Sequence, residues 1–452
     1  MGDFIDTNAK DIVKYAINRG FEEAVVNTFI YNAIYMKITN SKIDSVIYKN
    51  HNSGNILITN KKKIFRMDFP SLEEKEIKSS LEKADKHIAL IKPKEDYNGI
   101  AEGPFKYNKN NTHYDKKIEN FDIKDIAEIA NSIINNALAE GVKEVAGMVI
   151  AKFQQYSLAT SKNVDVNDKS TSLRISIRTF GENLSYQNTV ASALLSKIKP
   201  EKISKDTAKL IVDVNKYGKI KNGSYDILYL PAPAANLLDI VNSAACINSI
   251  ETGSFFVNKL NKEVANKDLT IYDDGNYEGA IYSSAFDDEG YPTQRNEIIK
   301  NGILNKYLHN YSTAIKYNTK STGNAGLVEP EPKTLILEHK NIKDFDNIVK
   351  NMDKGIIITN VWYTRFSNML AGDFSTMPRD LAIYVENGEK KFAIKQKNIG
   401  EIVGIRIHDN IIRMLKNIEI VGNDTIQATS WDSNNYAFVP SILVKDVKVS
   451  TI

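Results

Sequence analysis

Residues 286–326, FDDEGYPTQRNEIIKNGILNKYLHNYSTAIKYNTKSTGNAG, leave the backbone few choices. Asp287, Asp288, Glu289 and Gly290 form a turn signal that Pro292 closes. Asn301-Gly302 lies between two apolar pairs, Ile298-Ile299 and Ile303-Leu304. Both central residues tolerate positive φ, so the pattern predicts a hairpin closed by a type I′ turn. The spacing then predicts a helix over 307–317. Thr322-Gly323-Asn324-Ala325-Gly326 ends it in a loop where backbone can approach a ligand or partner closely.

Upstream, one order of elements recurs. Asp6 or Thr7 can cap a first helix running to about Arg19, with Gly20 as its stop. Strands are expected over 24–39, 43–48, 55–59 and 64–69. Ser71-Leu72-Glu73-Glu74 carries a capping-box pattern and opens a helix reaching about Ile91. Residues 92–119 are polar and punctuated by Gly and Pro, and read as a long surface connection. The order then returns, with a helix over 123–139, strands near 144–158 and 173–187, and a helix over 204–214. Segments 38–42 and 159–163 fall in equivalent places about 120 residues apart. The expectation is an α+β protein whose residues 1–220 form a duplicated α+β region of antiparallel sheet and helices, with halves at about 1–91 and 120–220. From Asn222-Gly223 onward many short strands and tight turns follow, including a second Asn-Gly hairpin at Asn387-Gly388. Residues 221–452 are therefore expected to form a mostly antiparallel β domain, sandwich- or barrel-like, in which a strand over 225–230 leads into a helix over 235–250.

Composition narrows the function. Lys+Arg 59 against Asp+Glu 56 gives +3, and the clearest basic run, Lys61 to Lys63, is short. Nucleic-acid binding is not expected. A single cysteine, Cys246, permits neither an internal disulfide nor a zinc site built from several thiolates. The N-terminal residues show no signal-peptide pattern, and no apolar run reaches the ~18 residues of a membrane span. A cytoplasmic protein with no membrane contact is the expectation.

Three ordered blocks carry a family resemblance. They are 286–326; residues 253–274, GSFFVNKLNKEVANKDLTIYDD; and Gly372-Asp373-Phe374-Ser375 followed by Tyr384-Val385-Glu386-Asn387-Gly388. Together they resemble the TldD/PmbA family, metallopeptidase-like proteins once called modulators of DNA gyrase. The likeness is dense over about 225–450 and generic before that. It implies an N-terminal region of two related, interleaved halves, which agrees with the duplication read above.

The resemblance also implies where catalytic zinc would sit. In the family's catalytic branch, a His-Glu-x-x-x-His helix follows the first strand of this domain, and a Cys nearer the C-terminus contributes as well. The corresponding residues here, 233–246, contain no His and no Glu. Asn236, Asp239, Asn242 and Cys246 occupy the position of the lost zinc helix. Asp239 and Asn242 share a helix face, but Asn is a poor zinc ligand and a Cys among alanines is usually a packing residue. Residues 427–440 hold no Cys, and the six histidines show no metal-binding spacing. No catalytic residue and no metal ligand is assigned.

The chain thus resembles the PmbA (TldE) branch. The resemblance implies a non-catalytic subunit of a cytosolic zinc metallopeptidase. Its partner would be a zinc-bearing TldD-like paralogue in a heterodimer, its substrate an unfolded peptide, and the zinc would lie in that partner. A stand-alone peptidase with unconventional ligands and a homodimeric peptide-binding module are the alternatives. By resemblance, Arg295, Arg365, Asp373 and Phe374 are candidates for the shared cavity or the subunit contact.

Overall fold

The computed structural model describes residues 8–108, 112–214, 216–394, 404–431, 433 and 435–451. Its first half contains one unit twice. The first copy runs through helix Ala9–Asn18, strands Glu23–Thr39, Lys42–Asn60 and Lys63–Phe69, and helix Glu74–Leu90. The second runs through helix Ile123–Ala139, strands Glu144–Thr160, Val164–Phe180 and Ser185–Ser192, and helix Pro200–Val212. Strands Glu23–Thr39 and Glu144–Thr160 pair antiparallel from Val25↔Thr160 to Ile38↔Gly147, which places a local two-fold axis between them. The two turns singled out in the sequence obey that axis. Ser41 donates its N–H to the Val145 carbonyl at 2.9 Å, and its hydroxyl accepts the Val145 N–H at 3.0 Å. Ser161 makes the same two contacts with Ala24, at 2.9 and 3.0 Å. Matched contacts of this kind establish the duplication beyond element order.

Several local expectations are corrected. The strands expected at 43–48 and 55–59 are one, Lys42–Asn60, because the polar stretch between them keeps its pairing with Glu23–Thr39. The strand expected at 173–187 is divided by a turn at 181–184. Helix Glu74–Leu90 has Glu73 at its N-cap and no side-chain cap, so the capping box at Ser71 does not form. Asp6 and Thr7 lie outside the described residues; Asn8 caps the first helix, accepting from the Lys10 N–H at 3.2 Å. The 92–119 connection, apart from 109–111, which lie outside the described residues, is not confined to the surface. Ile100 and Ala101 are buried. The Gly103 N–H donates to the Lys162 carbonyl, and the Tyr107 hydroxyl to the Gly290 carbonyl, both at 2.8 Å.

Two sheets form the frame. Among the described residues the larger has 12 strands and draws from both sides of residue 220: beyond Ser185–Ser192 it continues through Ile426–Ala428, Ala437–Val439, Leu335–His339, Leu269–Asp274, Arg295–Lys300 and Ile303–Leu304. In the other sheet, Gly223–Tyr229 pairs with Lys354–Asn368, that strand with Asp373–Glu386, that with Ile405–Asn410, and that with Ile442–Thr451, which pairs with Gly223–Tyr229 again. The circuit closes as a small barrel, the barrel-like region expected from the sequence. One apolar core lies between the barrel and helix Pro231–Ala244, around Tyr229, Leu237, Leu238, Phe255 and Phe256. Another lies under helices Ile123–Ala139 and Pro200–Val212 and includes Leu228 and Ile383 from the barrel.

The hairpin at Asn301-Gly302 forms as expected, with φ of 46° and 81° and Lys300 paired to Ile303. A Cβ on Gly302 would lie 2.6 Å from the Ala265 carbonyl oxygen. Gly302→Ala is therefore expected to lower stability by about 1–3 kcal/mol, visible as an earlier midpoint in urea unfolding. The next helix is Tyr311–Lys316, shorter than the 307–317 expected, because Asn310 caps it by accepting from the Thr313 N–H at 2.9 Å.

Candidate functional site

A polar cleft of about 570 Å³ opens between the larger sheet and helix Pro231–Ala244. Strand alternation makes its floor. Lys152 stands opposite Ser172, and Ile150 opposite Arg174, so Lys152, Gln154, Tyr156, Ser172 and Arg174 share one face. The opposite face of these strands carries Val149, Ala151, Leu173 and Ile175 into the core. The facing wall is built from the helix, from residues 281–288 and from Glu331 and Lys333.

The helix starts at Pro231, earlier than expected, since Pro231 and Pro233 occupy the first turn, where an N–H is dispensable. It ends at Ala244 rather than 250. Cys246 follows it in an extended conformation, φ −67° and ψ 138°, bridged to Leu308. This corrects the expectation of one helix carrying Asn236, Asp239, Asn242 and Cys246. Cys246 is buried, and burial pushes its thiol far up and keeps it neutral. Asn236 accepts from the Thr364 hydroxyl at 2.9 Å. Asp239 and Asn242 reach the cleft. Asp239 accepts from Asn435 Nδ2 at 2.8 Å, and burial raises its pKa.

Asn242 is a donor to a buried hub. Asp273 accepts from Asn242 Nδ2 at 3.1 Å, Asn324 Nδ2 at 2.6 Å and the Lys333 N–H at 2.7 Å. Burial still pushes it up to about 6. Asp287 accepts the N–H groups of Glu289, Tyr291 and Ala325, and burial pushes it up to about 7. Burial pulls Lys333 down, but Asp288, Asp287, Glu331 and Asp273 outweigh it, and its pKa is raised. The 322–326 loop is thus tied to its own chain, not aimed at a ligand: a Cβ on Gly323 would lie 2.5 Å from the Pro292 carbonyl oxygen.

The remaining candidates lie away from the cleft. Arg295 places its guanidinium 3.5 Å from the Tyr272 ring centroid and 3.6 Å from Glu338, a structural stack and ion pair. Arg365 is exposed on its strand and donates to the Thr364 carbonyl at 2.9 Å. Asp373 accepts from Asn410 Nδ2 at 2.8 Å. Phe374 is buried against Phe366 and offers no surface to a partner. The cleft instead gathers Lys152, Arg174, Asp287 and Lys333, with Asp273 buried behind Asn242 and Lys333, and the sequence reading assigned none of these to a site. The signal for Lys152 and Arg174 was the polar alternation at 152, 154 and 156 and at 170, 172 and 174.

Zinc needs three or more ligands in fixed geometry. Among the described residues no three His, Cys, Asp or Glu side chains gather to hold a metal. Asp239 has an amide, Asn435, as its hydrogen-bond partner. Asn236, Asp239, Asn242 and Cys246, expected from the resemblance at a zinc position, do not form a ligand set that fits the ion.

Fold and site together define a class: a duplicated α+β region joined through one sheet to a small barrel, with a polar cleft against the helix after the first barrel strand. Residues 222–451 match the family described as PmbA/TldA metallopeptidase C-terminal domain. The chain belongs to the PmbA/TldD metallopeptidase family. It is 27% identical over 349 residues to an uncharacterized protein of Methanocaldococcus jannaschii, covering 75% of this chain and 79% of that one. It is 27% identical over 241 residues to Metalloprotease PmbA of Escherichia coli O157:H7, covering 53% of this chain and 50% of that protein, so the match spans about half the length of this PmbA. The crystal structure of TldE from Thermococcus kodakarensis superposes with a TM-score of 0.84 at 18% identity, covering 98% of this chain and 99% of that one; it shares the fold.

Proposed function

We propose that this chain is a PmbA/TldE-like subunit with no catalytic zinc of its own. It pairs with a zinc-bearing TldD-like paralogue, and its cleft helps to enclose an unfolded peptide. The observation that supports this most is the helix Pro231–Ala244, where Asn236, Asp239 and Asn242 engage Thr364, Asn435 and Asp273 instead of presenting a ligand set. The PmbA relative is titled a metalloprotease, so hydrolysis by the assembly is the proposed activity. No helix among the described residues is long and apolar enough to cross a membrane. A cytoplasmic setting belongs to the same proposal.

The test is elemental mass spectrometry on the protein purified alone, with cleavage of an unfolded peptide assayed on the same sample and again with the paralogue added. The expected result is no stoichiometric metal and no cleavage alone, and chelator-sensitive cleavage with the paralogue. About one zinc per chain with chelator-sensitive cleavage by the chain alone would replace this reading with a stand-alone peptidase. A stable homodimer that captures no paralogue would replace it with a peptide-binding module.

A further inference from the structure

Two cations on the cleft floor differ from the other charges around them. Lys152 and Arg174 stand diagonally on neighbouring strands and face the same way. Both line the cleft. Lys333, on the opposite wall, is 3.6 Å from the Asp288 carboxylate. Lys152 and Arg174 have aromatic neighbours instead. The Lys152 ammonium is 4.3 Å from the Tyr31 ring centroid, and the Arg174 guanidinium is 5.3 Å from that of Tyr436. Among the described residues no carboxylate forms an ion pair with either. Arg174 Nε is buried with no hydrogen-bond acceptor.

Such an arrangement is unfavourable when empty. A buried donor without a partner costs free energy, and two like charges on one face repel. Burial, and then the charge of Arg174, pull Lys152 down to about 8. An anion seated between them would reverse each of these effects. It would give Arg174 Nε an acceptor, balance both charges and form charge-assisted hydrogen bonds away from bulk water. Ser170 and Ser172 line the same floor and offer hydroxyl donors. The facing wall carries Asp239, Asp287, Asp288 and Glu331, with Lys333 among them, and that excess of carboxylates disfavours a multiply charged anion such as phosphate.

We propose that Lys152 and Arg174 form a seat for one carboxylate of a bound peptide, so that this subunit selects peptides by an anionic end or side chain. The assignment rests on the peptide-enclosing role above. It is tested on the full chain by fluorescence polarisation with three labelled peptides of one neutral, unstructured sequence: one with a free C-terminal carboxylate, one amidated, and one amidated with a single internal Glu. At least tenfold tighter binding of the first peptide than the second identifies a peptide terminus as the source. The same advantage for the third identifies an acidic side chain. In either case the advantage is expected to vanish in Lys152→Met and in Arg174→Gln, with thermal midpoints showing that both variants are folded. The comparison of peptides on the unaltered protein stands even if a variant fails to fold. Equal binding of all three peptides would overturn the carboxylate seat and leave the peptide-enclosing role standing. Binding of none would overturn both.

Discussion

Arg178→Met is expected to destabilise the protein by about 3 kcal/mol, the lower end of the range for breaking a buried ion pair. Arg178 lies on strand Val164–Phe180 of the larger sheet, and Asp380 on strand Asp373–Glu386 of the barrel. The guanidinium donates to both carboxylate oxygens, Nη1 at 2.7 Å and Nη2 at 3.3 Å. It also donates to Ser185 Oγ at 2.9 Å and Gln187 Oε1 at 2.6 Å. The Asp380 side chain has 0% exposure, and its backbone has a φ of 66°, a conformation that Asp and Asn tolerate better than most residues. Burial raises the pKa of Asp380 even beside this arginine, so the ionised carboxylate is held at a cost. Without Arg178 the nearest cation is Arg379, at 3.7 Å, whose guanidinium is also engaged over the rings of Trp362 and Trp431. That second cation is the reason to expect the lower end of the range. The double variant Arg178→Met with Asp380→Asn removes the stranded charge and keeps a residue suited to positive φ. It is expected to regain most of the loss in urea unfolding. A double variant no more stable than the single would show that lost packing, not the charge, sets the cost.

What could be read in advance followed how local the controlling chemistry is. The Asn301-Gly302 and Asn387-Gly388 hairpins depend on adjacent residues that accept positive φ, and both form as expected. The duplication was legible because Ser41 and Ser161 sit in turns between strands of similar pattern. The continuous strand Lys42–Asn60 was not, because its middle is polar and exposed and only its pairing with the preceding strand, Glu23–Thr39, keeps it extended. Nor was the larger sheet's passage across residue 220, since Ala428↔Val190 joins residues far apart in the chain. At the site, a helix was expected over 235–250 and forms over Pro231–Ala244, and Cys246 lies outside it where an alanine-rich stretch carries no stop signal. Lys152 and Arg174 fall on expected strands, and polar alternation alone does not set them apart as a site. Only the packing of residues 281–288 and helix Pro231–Ala244 over that face makes it a cleft.

The largest effect near the cleft is expected from Asp273→Ala, behind its wall, about 4 kcal/mol in urea unfolding. Asp273 is 1% exposed and accepts three hydrogen bonds. Truncation leaves Asn242 Nδ2 and the Lys333 N–H without their acceptor, at about 1–3 kcal/mol each, while Asn324 Nδ2 keeps only the Glu331 carbonyl at 3.2 Å. It also disconnects helix Pro231–Ala244, through Asn242, from the loop that carries Asn324. Asp273→Asn is milder and more informative. Burial raises the carboxyl from 3.8 to about 6 in the fold, against the three donors that favour ionisation. A carboxyl raised on folding binds its proton more tightly in the native state. Its contribution is therefore most favourable at low pH and declines as pH rises through that window, by on the order of 3 kcal/mol in all. Asn does not titrate, so the stability of the unaltered protein relative to Asp273→Asn should fall as pH rises from 4.5 to about 7. A difference that stayed flat over that range would mean that the three donors, not burial, govern Asp273, since a depressed carboxyl completes its titration below about pH 4.5.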